Sequence, residues 1–332
     1  MIRTSTLDRI IGRCQEQVEP KEKLVPAVMV GGPGHRGRAI MFLFFESSFA
    51  PDFVVKVAFS PEESRFLGHE YSALQNVRPI LSHTSATRVP EPVTLFRVEE
   101  STALMCKALI GQRLLIPQLT STRGAMGRRV LREYFKQAFR FSIDLANAGS
   151  NPASSASSLP QIVARFRHRF GDQGEAGKEL AAFEHAVANA RIPSTPTWQH
   201  CDMMMSNVLT NRQELRILDW EHSRANSQSW FDVAYAPVAL ALMASWQTGA
   251  AFPMVMMQVL NRESWPGRII SEEMERVWEF PLPLSWGVLL TAMETALRQE
   301  NEGRLASSEW SGFVHTILGK RGKQELSWLS RW

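Results

Sequence analysis

The residues best able to do chemistry lie close together, in His200-Cys201-Asp202-Met203-Met204-Met205-Ser206-Asn207 and Ile217-Leu218-Asp219-Trp220-Glu221. An aspartate, an asparagine five positions on and an aspartate twelve beyond that form a set of oxygen donors. A carboxylate can orient a hydroxyl or accept its proton. An amide oxygen and a second carboxylate suit magnesium, which takes hard oxygen ligands in octahedral geometry. Upstream, Val54-Val55-Lys56-Val57 sets one ammonium in a strand-like run, and Glu70 follows fourteen residues later. Further upstream, Gly32-x-Gly34-x-x-Gly37 is a backbone loop able to close over phosphates.

This order of residues resembles the aminoglycoside phosphotransferase-like kinases, a family that shares the protein-kinase fold and includes choline, homoserine and sugar kinases. Its usual form is His-Gly-Asp-x-x-x-x-Asn, followed by a hydrophobic residue and Asp-Trp or Asp-Phe. The resemblance implies an α+β, protein-kinase-like two-lobed fold, with a small antiparallel β N-lobe and a larger, mainly helical C-lobe. It also implies Mg2+-dependent transfer of the γ-phosphoryl group of ATP, or of GTP, to a hydroxyl of a small molecule such as a sugar, an amino alcohol or an antibiotic-like acceptor. Such transfer needs positioning and charge neutralisation more than covalent help.

Carried over residue by residue, the resemblance makes Asp202 the base or positioner of the acceptor hydroxyl. Asn207 and Asp219 become metal ligands, and His200 braces the loop. Lys56 would hold the α- and β-phosphates, paired with Glu70. Glu63 is a rival partner, but its place in a capping box with Ser60 explains it without function. Gly32, Gly34 and Gly37 would cover the nucleotide. Backbone groups of Cys106 to Ala108, in Leu104-Met105-Cys106-Lys107-Ala108-Leu109-Ile110-Gly111, would hydrogen-bond adenine. Asp232 would brace the catalytic loop.

Three departures stand out in the catalytic segment: Cys201 replaces the usual Gly, Met203-Met204-Met205-Ser206 replaces the common Leu-His-Pro-Gly, and His222 follows Asp219-Trp220-Glu221; in the hinge, Lys107 stands where the family often has Glu. A side chain at a turn that prefers Gly strains the backbone. The alternative reading is a pseudokinase, a nucleotide-binding or scaffold module without turnover. A dinucleotide-binding fold would need a helix directly after Gly37, where Ala39–Phe45 reads as a strand. A protein kinase would need an activation segment between Asp219 and Asp232.

The elements that must position these groups are legible in outline. Leu24–Val30, Ala39–Phe45 and Phe53–Phe59 read as strands, and Val93–Phe96 and Thr102–Cys106 as shorter ones. Ser60, Pro61 and Glu63 announce a helix with an apolar face of Phe66, Leu67, Tyr71 and Leu74, ending at Pro79. From residue 125 the spacing turns helical, with Val130, Tyr134, Ala138, Phe141 and Leu145 on one face. Residues 149–159 are a polar loop. Gln161–Phe170 and Lys178–Ala190 read as helices, Asn207–Thr210 and Leu215–Leu218 as short β runs. The organisation expected is an N-lobe over 1–106, a hinge at 107–111 and a helical C-lobe over 112–332, with a cleft between the lobes.

Composition narrows the class. The 332 residues are 44% hydrophobic and 21% charged, values of an ordinary globular chain. With 37 basic and 33 acidic residues the net charge is +4, too small for a body that grips nucleic acid by phosphate neutralisation. Three scattered cysteines fit neither a disulfide framework nor a zinc knuckle, and point to the cytoplasm. The N-terminus lacks the apolar core of a secretory signal. The stretch from Val233 to Asn261 is uncharged but interrupted by Pro237, by Gln247-Thr248-Gly249 and by Pro253. Its apolar pieces fall short of the roughly 20 residues that span a bilayer, so two buried helices are expected.

Overall fold

The computed structural model describes residues 4–18, 22–30, 37–113, 125–149, 158–171, 174–190, 192, 196–211, 214–280, 282–301 and 307–318. Gly32, Gly34 and most of the polar loop at 149–159 lie outside the described residues. The chain divides into two compact units: Met1–Arg113 with Asn207–Ser223, and Leu114–Ser206 with Arg224–Trp332.

The first unit is built on a five-stranded antiparallel sheet of order β1-β2-β3-β5-β4. Its strands are β1 (Leu24–Val30), β2 (Arg38–Phe45), β3 (Phe53–Ala58), β4 (Pro92–Val98) and β5 (Ser101–Lys107). Side chains alternate between faces with a period of two. Phe53, Val55 and Val57 of β3 therefore join Met41, Leu43 and Met105 in one buried cluster, which Ile10 and Cys14 of helix α1 (Thr4–Gln15) complete. Lys56 faces the other way, in register with Ile40 and Leu104.

Helix α2 (Pro61–Ile80) packs against β3, β4 and β5. Ser60 caps it, its hydroxyl accepting the Glu63 N–H at 3.2 Å, and Pro61 sits at the first position. The helix includes Pro79 in its last turn rather than stopping before it. Its buried residues are Leu67, Glu70, Ala73, Leu74 and Val77, a helical stripe in which Glu70 is the only charged member. A charge on such a stripe is costly unless it is paired. A short helix, α3 (His83–Ala86), follows.

A second sheet in this unit has the order β6-β8-β9, from β6 (Gln112–Arg113), β8 (Val208–Asn211) and β9 (Glu214–Ile217). The pairing Val208↔Ile217 sets the start of β8 beside the end of β9. Asn207 and Asp219 flank these two ends. The segment Asn207–Ser223, read from sequence as part of the helical C-lobe, packs with the first unit because β8 pairs with β6 and the turn Trp220–His222 packs on α2.

The second unit is mainly helical: α4 (Ala125–Ala148), α5 (Leu159–Phe170), α6 (Gly174–Asn189), α7 (Phe231–Thr248), α8 (Phe252–Leu260), α9 (Trp265–Val277), α10 (Leu284–Asn301) and α11 (Ser307–Leu318). The uncharged stretch forms α7 and α8. Helix α7 runs through Pro237 and stops at Gly249, whose φ is +68°. From Phe231 to Met243 it is buried on every side, and apart from Asp232 it carries no charge. No described helix is long and apolar enough to cross a membrane. Helix α10 packs on α5 and α7. Among the described residues, a sheet here pairs β7 (Pro196–Gln199) with β10 (Arg224–Gln228), and β7 delivers the chain to His200.

Candidate active site

Among the described residues, each unit holds a cluster of buried charge beside a candidate site residue. In the first unit the alternation of β3 and the stripe of α2 aim Lys56 and Glu70 at each other. The Lys56 Nζ donates to both Glu70 carboxylate oxygens at 2.8 Å and to Asp219 Oδ1 at 2.7 Å. Glu70 Oε1 also accepts the Trp220 N–H at 3.4 Å, which ties α2 to the turn after Asp219. Burial opposes the charge on Lys56, but Asp219, Glu70 and Glu221 outweigh it and hold the ammonium above its ordinary range. Burial likewise opposes ionisation of Asp219, yet Lys56, then Arg38 and His222, hold its carboxyl well below the usual carboxylate range. Burial raises Glu70.

Two further residues enter this cluster. Arg38, the first residue of β2, pairs with Glu63 and with Glu221 and lies 5.4 Å from the Phe66 ring centroid. Glu63 therefore engages Arg38, and the partner of Lys56 is Glu70. Burial, and next the charge of Asp219, push Glu221 up to about 7. The Asp219 backbone is left-handed, φ 63°, a conformation that Asp tolerates better than most residues.

Cation chemistry can be tested on this arrangement. Glu70, Asp219 and Glu221 offer carboxylate oxygens within 4.8 Å of one another. Four acidic side chains (Glu63, Glu70, Asp219 and Glu221) meet two cationic ones, Arg38 and Lys56, so acidic groups outnumber basic ones here by two. Clustered hard oxygens with that excess fit a divalent hard cation. Asn207 joins from the neighbouring strand end, where its C=O accepts the Leu218 N–H at 2.8 Å.

The remaining residues singled out in this unit are also placed. Gly37 is the one loop glycine described, with φ +104° and its C=O accepting the Phe59 N–H at 2.8 Å. Cys106 lies in β5 opposite Val54 and Pro92. The Ala108 N–H donates to the Asp52 C=O at 2.8 Å, so that donor is engaged within the chain. Lys107 pairs with Glu91 at 2.8 Å.

The second unit carries Asp202. The two oxygens of Asp232, at the start of α7, accept the N–H groups of His200 at 2.6 Å and Cys201 at 2.8 Å. Gln199 Oε1 accepts the Asp232 N–H at 3.0 Å in return. Burial pushes Asp232 up to about 7, although these two donors pull the other way. Cys201 has φ 61°, the left-handed conformation that the family's Gly would take without strain. His200 is buried, and its Nδ1 accepts the Asp202 N–H at 3.3 Å. Met203, Met204 and Met205 are buried, and the Met203 C=O accepts the Tyr134 hydroxyl at 3.0 Å. The methionine run thus anchors the loop in the core instead of lining it with polar groups.

Sequence reasoning missed four residues of these clusters as site members: Arg38, Glu221, Tyr235 and Arg298. Arg38 directly follows the last loop glycine and Tyr235 lies one helical turn after Asp232, signals that could have found them. Arg298, 96 residues from Asp202, offers no local signal.

Comparison with known proteins adds the following. The family model described as "Phosphotransferase enzyme family" matches residues 44–248. A thermostable mutant of aminoglycoside phosphotransferase APH(4)-Ia, solved as a ternary complex with AMP-PNP and hygromycin B, superposes with TM-score 0.55 at 13% identity, covering 96% of this chain and 100% of that one. The aminoglycoside phosphotransferase from Alicyclobacillus acidocaldarius gives TM-score 0.53 at 12% identity over 100% and 96%. Plasmodium vivax ethanolamine kinase gives TM-score 0.51 at 11% identity over 89% and 82%. At these identities the likeness shows the fold: the kinase-like α+β architecture with an antiparallel sheet in one part and helices in the other. A sequence search of curated proteins finds no match. With the family model spanning more than half of its length, the chain belongs to the phosphotransferase enzyme family.

Proposed function

We propose that this protein transfers the γ-phosphoryl group of ATP to a hydroxyl of a small molecule, with magnesium. The observation that carries the reading is the buried Lys56–Glu70–Asp219 arrangement, with Lys56 Nζ within 2.8 Å of three carboxylate oxygens. A cation so firmly charged, beside carboxylates in excess, is suited to receive phosphate oxygens and a divalent ion together. The family supports the reading, as do fold relatives named for AMP-PNP with hygromycin B and for ethanolamine.

A magnesium ion held there would supply charge neutralisation for the phosphates. Asp219 and Asn207 are the residues to hold it, and Lys56, kept in place by Glu70, contacts the phosphates. Gly32, Gly34 and Gly37 would approach the nucleotide with backbone, and Cys106 is the hinge position to meet adenine. Asp202 orients the acceptor hydroxyl and takes its proton. The bond formed joins the acceptor oxygen to the γ-phosphorus. The bond broken joins that phosphorus to the β–γ bridging oxygen, and ADP leaves.

The test is transfer of radiolabel from γ-labelled ATP or GTP to a panel of hydroxyl acceptors, including hygromycin B, other aminoglycosides, ethanolamine, choline and sugars. Labelled product, lost in Asp202→Ala, is the expected result. Mg2+-dependent ATP binding without turnover on any acceptor would mean a nucleotide-binding module. Absence of ATP binding altogether would overturn the reading.

A further inference from the structure

Asp202 is held from two helices of its own unit, and the two grips differ in kind. From α10, the Arg298 guanidinium splits its contacts: Nη1 donates to the Cys201 C=O at 2.6 Å and Nη2 to Asp202 Oδ1 at 3.1 Å. From α7, the Tyr235 hydroxyl donates to the same Oδ1 at 2.7 Å. Arg298 and Tyr235 also touch each other, with the guanidinium carbon 5.9 Å from the ring centroid and Nη2 3.5 Å from the hydroxyl. The pair is buried, the side chains of Arg298 and Asp202 being 11% and 7% exposed.

An ordinary ion pair joins two side chains. Arg298 joins a backbone carbonyl and the next residue's carboxylate, so it fixes the Asp202 side chain relative to its own main chain. It does so directly after Cys201, where the left-handed backbone lacks the glycine that would adopt it without strain. Asp232 holds the N–H side of the same peptide run and Arg298 the C=O side. One face of α7, through Asp232 and Tyr235, thus grips the loop's N–H groups and its carboxylate. Asp232 lies near enough for its charge and that of Asp202 to repel, and His200 accepts the Asp202 backbone N–H. Arg224 and Glu294 form their own pair within the same unit.

We infer that Arg298 and Tyr235 are positioning residues for phosphoryl transfer: they lock one oxygen of Asp202 so that the carboxylate is presented to the acceptor hydroxyl in a single orientation. The inference rests on the phosphotransferase reading, in which Asp202 orients that hydroxyl.

The experiment compares wild type, Arg298→Met, Arg298→Lys and Tyr235→Phe by steady-state kinetics with Mg-ATP. The acceptor is the one selected by the panel above, or water, read as ATP hydrolysis, if the panel yields hydrolysis alone. Arg298→Met is expected to lower kcat about 100-fold, the effect of a small misplacement of a reacting group, with the KM for ATP unchanged. Arg298→Lys, which keeps a charged donor, is expected to recover most of that loss. Tyr235→Phe, which removes one hydrogen bond to a carboxylate, is expected to cost about tenfold in kcat. Melting temperatures measured in parallel separate orientation from folding, and the conservative Tyr235→Phe tests the inference even if Arg298→Met unfolds. Wild-type kcat in Arg298→Met, or activity falling only with the folded fraction while Lys does no better than Met, overturns the positioning role and leaves the function standing. A wild type that transfers no phosphate even to water removes the function, and this role with it.

Discussion

The two buried charge clusters are built on different plans. In the first unit the contacts run side chain to side chain across elements far apart in sequence: Lys56 to Glu70 and Asp219, Arg38 to Glu63 and Glu221. In the second, most contacts run from a side chain to the backbone of one short loop: Asp232 to two N–H groups, Arg298 and Tyr134 to carbonyls. Ion pairs between long side chains can exchange one partner for another, so the first cluster can rearrange around a charged ligand. Side chains bonded to the backbone of one loop cannot shift those bonds without the loop moving, so the second cluster fixes a geometry. One is suited to binding a charged ligand, the other to holding a reactive group still.

Breaking the second plan has the largest expected consequence. Asp202→Ala should lower kcat about 1,000-fold while leaving the Mg-ATP thermal shift intact, since positioned acid–base groups are worth that order. The same shift should vanish in Asp219→Asn, which removes a charge from the first cluster only.

Next comes pH. Asp232 is moved from an ordinary 3.8 to about 7, chiefly by burial. Its folded state therefore binds the proton more tightly than the unfolded chain does. The stabilisation is complete below the unfolded value and is lost as pH rises through 7. A carboxyl moved that far is worth about 4 kcal/mol. Between pH 4 and 7 the unfolding free energy of wild type should fall more steeply than that of Asp232→Asn, by up to that amount, in denaturant titrations at fixed ionic strength.

Lys56→Met sharpens the contrast from the other side. It leaves Glu70, which is buried, and Asp219 without their cation. The expected cost is about 3 kcal/mol of stability, with much weaker ATP binding in calorimetry. Added Mg2+ should restore part of that stability to the variant, because a cation would again face these carboxylates.

The smallest effect is local. Ser60→Ala removes the cap of α2 and should cost about 1 kcal/mol. The Lys56–Glu70 contact, further along the helix, should survive, leaving nucleotide affinity within about twofold of wild type.

Much of the first unit was legible in sequence because its signals are local. The β strands alternate between turn residues, and the capping motif at Ser60 marks the start of α2. Lys56 and Glu70 could be paired through the family resemblance, with Glu63 set aside by its place in the capping box. The strand β10 could not be found: Arg224-Ala225-Asn226-Ser227-Gln228 has no apolar alternation, and it is a strand only because Pro196–Gln199 pairs with it. Helix α1 was passed over, although Ile10 and Cys14 close the core beneath the sheet. Helix α7 runs through Pro237 because packing around that turn outweighs one missing hydrogen bond, and the uncharged stretch forms two helices as expected. The second cluster was half visible. Asp202, His200 and Asp232 stand out through the family resemblance, whereas Arg298 has no local signal and reaches Asp202 only because α10 packs on α7.

The left-handed turn at Cys201 also bears on how this sequence can drift. Any L-residue there carries roughly 1 kcal/mol of strain that glycine escapes. The site is 2% exposed, its sulfur lying 3.7 Å from both Gln199 O and Ser227 Oγ, so it has no room for a large side chain. Glycine, alanine and serine are the replacements left open, and β-branched or long residues are barred twice over. Descendants of this chain should therefore wander freely on the exposed face of α4 while position 201 moves along a very narrow path, with its nearest way out leading to glycine.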